Sequence, residues 1–166
     1  LQVEQIRGNV DTRLKKLHDG EFDAIILAEA GLHRLGLEHE ISQVLPKSIM
    51  LPAVGQGALG LETRVDDPTT RESLQCLHDE ESYQAVLCER ALLRSVQGGC
   101  LAPIGAWARV EADTVILDAV VLAENGQAKL SASGSSDVHD GEKLGEQVAQ
   151  KLLGEGAAQI LSAARH

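Results

Sequence analysis

The chain has 166 residues, 43% of them hydrophobic, 24% charged and only 2% aromatic, and its 25 acidic against 15 basic side chains leave a net charge of −10. This is the composition of a globular protein with one sizeable core or two small ones, and it argues against disorder. It speaks against a basic face for nucleic acid or anionic lipid, leaves too few rings for base or sugar stacking as the main binding mode, and contains no apolar run long enough to span a bilayer.

In chain order, "NVDTRLKKLHD" at 9–19 sets Val10, Leu14 and Leu17 at helical spacing, with Asn9 as N-cap and Gly20 as a left-handed stop. "FDAIILA" at 22–28 predicts a short buried strand of the continuous apolar kind found in parallel sheets. "EAGLHRLGL" predicts a helix and "HEISQVL" a second helical stretch before Pro46, after which "SIMLPAV" at 48–54 reads as extended. A helix–strand–helix–strand order belongs to an α/β layer. The two glycines of "GQG" at 55–57 mark a hinge, "ALGLETRV" resumes as a strand, and Asp67 with Pro68 announces another helix.

A longer helix over about 80–96 runs into "SVQGGCLAPIG". Beyond it, "IGAWARV" alternates, with Ile104, Ala106, Ala108 and Val110 on one face and Trp107 and Arg109 on the other. "TVILDAVVLA" and "AKLSASG" flank Asn125-Gly126, a hairpin signal. Leu144, Val148 and Leu152 then mark an amphipathic helix, and "GAAQILSAA" a last one. The fold class expected is α/β, with part of an α/β domain followed by a small α+β domain of three antiparallel strands and helices, divided near residues 76–82.

Three cysteines are an odd number without metal-ligand spacing, which fits a reducing cytoplasm better than a disulfide framework. Cys76 and Cys88 read as small buried apolar groups. Cys100 stands behind Gly98 and Gly99, where a bulky group could approach its thiol; a reactive and a structural thiol are both open, since no histidine is near in sequence to activate it. The six histidines show no HxH or HExxH spacing, so no metal site is expected. Gly55, Gly57 and Gly60 lack the helix that a dinucleotide fingerprint needs. Arg7 and Arg13 bracket the start of the first helix and Arg34 lies on the next, forming either an anion site at a sheet's carboxyl edge or a solvated surface. The Glu89-Arg90 pair reads as decoration of its helix or as a contact with a neighbouring domain.

"RGNVDTRLKKLHDGEFDAIILAEAGLHRLGL", "LPAVGQGALGLETR" and "ERALLRSVQGGCLAPIGA" together resemble the porphobilinogen deaminases, also called hydroxymethylbilane synthases, in uniform order from about residue 5 to the C-terminal helix. The resemblance implies a transferase that joins four porphobilinogen molecules head to tail, with loss of ammonia, into a linear tetrapyrrole of haem biosynthesis. It implies a dipyrromethane cofactor held as a thioether by Cys100. It also implies that Arg7 and Arg13 bind the carboxylates of cofactor and substrate, that Arg34 binds those of the substrate, and that Ala28 and Gln56 lie near the cofactor. Guanidinium forks suit that carboxylate load. The resemblance further implies a cytoplasmic monomer whose partner is the small-molecule substrate, with no nucleic acid or membrane.

By the same resemblance, residues 1–54 are the latter half of a second domain like those of periplasmic binding proteins, residues 55–76 a hinge strand and helix returning to the first domain, and residues 77–166 the cofactor-bearing α+β domain. The family's catalytic aspartate belongs to an N-terminal domain with no matching segment here. The chain is therefore expected to be a fragment, inactive alone and completed by that domain. A non-catalytic carboxylate-binding α/β module is the competing reading, and a structural role a third; a binding module has no use for Cys100.

Overall fold

The computed structural model describes residues 2–97 and 102–164. It divides into two compact units, Leu1–Leu45 and Pro46–His166.

In the N-terminal unit, helix α1 (Val10–His18) starts where the Asn9 side chain accepts the Thr12 N–H at 2.9 Å. It ends before Gly20, whose φ of +77° suits a residue without Cβ. Helix α2 (Glu29–Arg34) follows, and Leu14 of α1 and Leu32 of α2 are the buried apolar residues. The first turn of α1 meets α2 where Val10 faces Gly31.

Two expectations fail here. Residues 22–28 join no ladder, and Ile26 is 61% exposed. A strand's N–H and C=O groups need a neighbouring strand, and among the described residues the one sheet is β1-β2-β3 of the other unit. The helix expected over 39–45 is reduced to a single 3₁₀ turn at Glu38–Glu40, because so short a segment with no buried face cannot offset the cost of helix nucleation.

The C-terminal unit holds helices α3 (Pro68–Leu74) and α4 (Glu80–Ser95), strands β1 (Ile104–Glu111), β2 (Thr114–Leu122) and β3 (Lys129–Asp137), and helices α5 (Gly141–Gly154) and α6 (Ala157–Ala163). Asp67 caps α3, with Pro68 in its first turn, and Asp79 caps α4. The sheet is antiparallel in the order β1-β2-β3, with Ala106 opposite Ala119 and Ala119 opposite Ala132. Asn125 and Gly126 turn the second hairpin, the Asn125 side chain accepting the Gln127 N–H at 3.0 Å.

Alternation sends Ile104, Ala106, Ala108, Val115, Leu117, Ala119 and Val121 to one side of the sheet, where they pack on Cys88 and Leu92 of α4 and on Leu144, Val148 and Leu152 of α5. The chain is thus α/β, with a three-stranded antiparallel sheet backed by helices.

Within this unit, residues 51–53 lie along strand β1. The Leu51 side chain lies over Gly105, the Pro52 carbonyl accepts the Ala106 N–H at 2.9 Å, and Ala53 bridges Gly105. The strand expected at 58–65 forms no ladder, and Leu59 and Leu61 stand exposed.

Candidate functional site

Among the described residues, three arginines of the C-terminal unit pair with carboxylates, whereas Arg71 and Arg90 of that unit, like the arginines of the N-terminal unit, do not. Arg64, Arg94 and Arg109 each pair with carboxylates, at 3.1, 2.6 and 2.7 Å for the shortest contacts. Arg7, Arg13 and Arg34, the three arginines before residue 46, have no acidic partner among the described residues. Arg7 and Arg34 are exposed. Arg13, half-buried on α1, donates its Nε to the Gly8 carbonyl at 2.8 Å, which holds the fork beside the segment that carries Arg7. Each of the three therefore keeps a guanidinium without an acidic partner, the side-chain type suited to bidentate pairing with a carboxylate.

Ala28 is the N-cap residue of α2, with φ −71° and ψ 121°. Close by, His33 lies 3.2 Å from both Glu29 and Glu38, whose hydrogen bonds raise its pKa, Glu29 contributing most.

In the C-terminal unit, Gln56 sits exposed in a turn where its N–H donates to the Ala53 carbonyl at 3.0 Å. Cys100, the expected attachment point, lies outside the described residues. The residues on either side of its segment are anchored, since Val96 at the end of α4 and Ile104 at the start of β1 are both in the core. Arg7, Arg13, Ala28 and Arg34 thus fall in one unit and Gln56 in the other.

Sequence reading missed Glu89. It is not surface decoration: it is 6% exposed, the one buried charged residue of those described. Its Oε2 accepts the Gly55 N–H and its Oε1 the Ala108 N–H, both at 2.7 Å. Burial pushes its carboxyl pKa up, while the Ala108 and Gly55 N–H groups pull the other way. The signal was present in the spacing: Glu89 falls three residues before Leu92 and seven before Val96, on the apolar face of α4.

The cysteines also part company. Cys88 is fully buried, and burial, followed by the Glu89 carboxylate, pushes its thiol up to about 12. Cys76, expected to be buried, is exposed instead, because the 3₁₀ turn Gln75–Leu77 ending α3 places it outside the core. A thiol reagent at about pH 8 is therefore expected to label Cys76 and to spare Cys88 until the protein is unfolded, since a thiol so shifted holds only about one part in ten thousand thiolate. Peptide mapping after labelling checks this, and native labelling of Cys88 at the rate of Cys76 would contradict it.

On the sheet face away from the helices, a groove of about 830 Å³ is lined by Met50, Leu51, Pro103, Trp107, Val120 and Lys129 among others. Arg109 and Lys47 already cover the Trp107 ring, at 4.3 and 5.6 Å from its centre. Among the described residues no group of three or more His, Cys, Asp or Glu side chains could hold a metal ion, and no helix is long and apolar enough to cross a membrane.

Comparison with known proteins adds a family. Residues 1–72 match the model described as porphobilinogen deaminase, dipyromethane cofactor binding domain, and residues 83–154 match porphobilinogen deaminase, C-terminal domain. The porphobilinogen deaminase of Syntrophobacter fumaroxidans is 44% identical over 161 residues, 97% of this chain and 52% of the relative. That of Chlorobium chlorochromatii is 46% identical over 169 residues, 99% and 54%. That of Geobacter metallireducens is 45% identical over 162 residues, 98% and 51%. The chain spans about half the length of the curated relatives it matches.

Proposed function

The chain belongs to the porphobilinogen deaminase family, and from that premise we propose that it serves a transferase joining four porphobilinogen molecules head to tail into the linear tetrapyrrole hydroxymethylbilane, with release of ammonia. The observation that carries this reading is the set of arginines without carboxylate partners in the N-terminal unit. Every pyrrole ring of substrate and cofactor brings an acetate and a propionate, so the ligand supplies the charges those guanidiniums lack.

The residues present fit a dipyrromethane primer. In this reading Arg7 and Arg13 bind its carboxylates, Arg13 with its fork pre-oriented by the Gly8 carbonyl, and Arg34 joins them in binding the incoming substrate. Fixing the donors before the ligand arrives reduces the ordering cost of binding. Cys100 would supply the thioether sulfur, and Ala28 and Gln56 would hold the cofactor through backbone or amide hydrogen bonds. When bound, the primer supplies the free pyrrole carbon from which the chain is extended. The guanidiniums also hold each added ring's carboxylates, so a lengthening product stays in register for the next addition.

Residues 1–54 are, in the same reading, the latter half of an α/β domain like those of periplasmic binding proteins. Residues 55–76 belong with the enzyme's first domain, and residues 77–166 form the domain that bears Cys100. The enzyme works as a cytoplasmic monomer on a small-molecule substrate, without nucleic acid or membrane. The carboxylate that steadies charge on the pyrrole nitrogens and moves protons has no matching segment in these 166 residues, so by themselves they do not turn over porphobilinogen.

The test uses the chain joined to the N-terminal half of a relative. With porphobilinogen, the joined protein is expected to release ammonia and to gain, by intact mass, two linked pyrroles. The 166 residues alone are expected to give no tetrapyrrole. Neither ammonia nor adduct from the joined protein would overturn the assignment, and tetrapyrrole from the 166 residues alone would overturn their inactivity.

A further inference from the structure

Glu89 is a buried carboxylate that the chemistry above does not use. It bridges two backbone segments far apart in sequence, the turn at residues 53–57 and strand β1. We propose that Glu89 is a positioning residue, whose carboxylate latches the turn carrying Gln56 to α4 and β1 and so sets where that side chain stands. The latch follows from the geometry alone; its consequence for Gln56 rests on the function proposed above.

Each carboxylate oxygen accepts one N–H at 2.7 Å, within the range of charge-assisted hydrogen bonds. The Ala108 N–H belongs to a core strand and cannot move without disturbing the sheet. Glu89 itself is clamped, because Cys88, Ala91 and Leu92 around it on α4 are all buried. The Gly55 end is the adjustable one. Its residue has φ +71°, a conformation that side-chain-bearing residues seldom adopt, and that conformation turns its N–H toward the carboxylate. Gln56, next in the chain, is exposed and donates only its backbone N–H within the turn, to Ala53. The latch thus fixes the backbone at Gln56 while leaving its amide side chain free for a ligand.

Serving both donors takes two acceptor atoms on a side chain of glutamate length. Glu89→Gln keeps shape and volume but turns an NH₂ toward one of the two N–H groups. Glu89→Asp keeps the charge but is one methylene too short to span both.

Amide hydrogen exchange by NMR on the 166-residue chain reads the latch directly. In the wild type, the Gly55 amide is expected to exchange at least about tenfold more slowly than that of Gly57 in the same turn. In Glu89→Gln and Glu89→Asp, Gly55 is expected to lose that protection while Leu117 and Val121 of β2 keep theirs. Wild-type exchange at Gly55 as fast as at Gly57 overturns the latch, and needs no variant to fold. In the joined protein, Glu89→Gln is expected to lower kcat at least about tenfold while the Cys100 adduct still forms, as a displaced Gln56 requires. Loss of Gly55 protection with unchanged kcat overturns the positioning role. If the joined wild type does not turn over at all, the functional reading fails and the exchange measurement still decides the latch.

Discussion

Replacing Gly145 with alanine is expected to destabilise the C-terminal unit by about 3 kcal/mol or more, and valine there to prevent its folding. Helices α4 and α5 touch at this residue. A Cβ built on Gly145 collides with the Cys88 carbonyl oxygen and stands 2.9 Å from both the Ala91 Cβ and the Leu92 amide nitrogen. Two of these three obstacles are helix backbone, which cannot swing aside as a long side chain does. The helices would have to separate, and separation would open the core that Leu92, Val148 and Leu152 share with the sheet.

Alanine's better helix propensity, about 1 kcal/mol, opposes this and loses. Gly154 at the end of α5 is the control, because nothing lies within 4 Å of its would-be Cβ. Gly154→Ala is expected to leave the melting temperature unchanged or slightly raised, and Gly145→Ala to lower it by about 10 °C or more. Equal melting curves for the two variants would show that the helix crossing is not close-packed at Gly145.

Removing the Cys100 sulfur is expected to abolish covalent pyrrole binding. In the joined protein, the mass gained from porphobilinogen should vanish completely in Cys100→Ala and persist in Cys76→Ala. The two remaining thiols cannot substitute. Cys88 is enclosed between α4, α5 and the sheet with its thiol pushed up to about 12, so it has neither access nor thiolate. Cys76 is accessible, but it sits at the end of α3, remote in sequence from the "GGCLAPIG" segment. Cys100→Ser should fail as well, because a hydroxyl without an activating base is a far weaker nucleophile than a thiol. The melting temperature should be unaffected, since Val96 and Ile104 anchor the flanking segments independently. An adduct of undiminished mass in Cys100→Ala would move the attachment site elsewhere.

Local order was legible wherever the chain near a residue supplies what it needs. Asn9 reaches its own helix's Thr12 N–H, Asp67 reaches Thr70, and Asn125 and Gly126 turn between strands that follow directly. Strand alternation from Ile104 to Ala108 carried over because β1 and β2 are hairpin neighbours and find each other across a short loop. The arginine spacing and the cysteine motif were read as a family resemblance, and the family matches agree with it.

Only the tertiary structure decided the rest. The segments at 22–28 and 58–65 have strand-like sequences, yet a strand exists only beside a partner, and no pattern within seven or eight residues states whether one is present. Cys76 and Cys88 both stand near helical, partly apolar sequence, and only the packing of α4 on α5 and the sheet shows that one is enclosed and the other open. Glu89 is the clearest case. Its charge argues for the surface and its position on α4 for the core, and what settles the matter is a pair of backbone N–H groups 34 residues before it and 19 after. Sequence by itself determined caps, turns, alternation and the chemistry on offer, because these are set by neighbouring residues. Pairing, burial and the satisfaction of a buried charge depend on residues distant in the chain, and only folding brings those together.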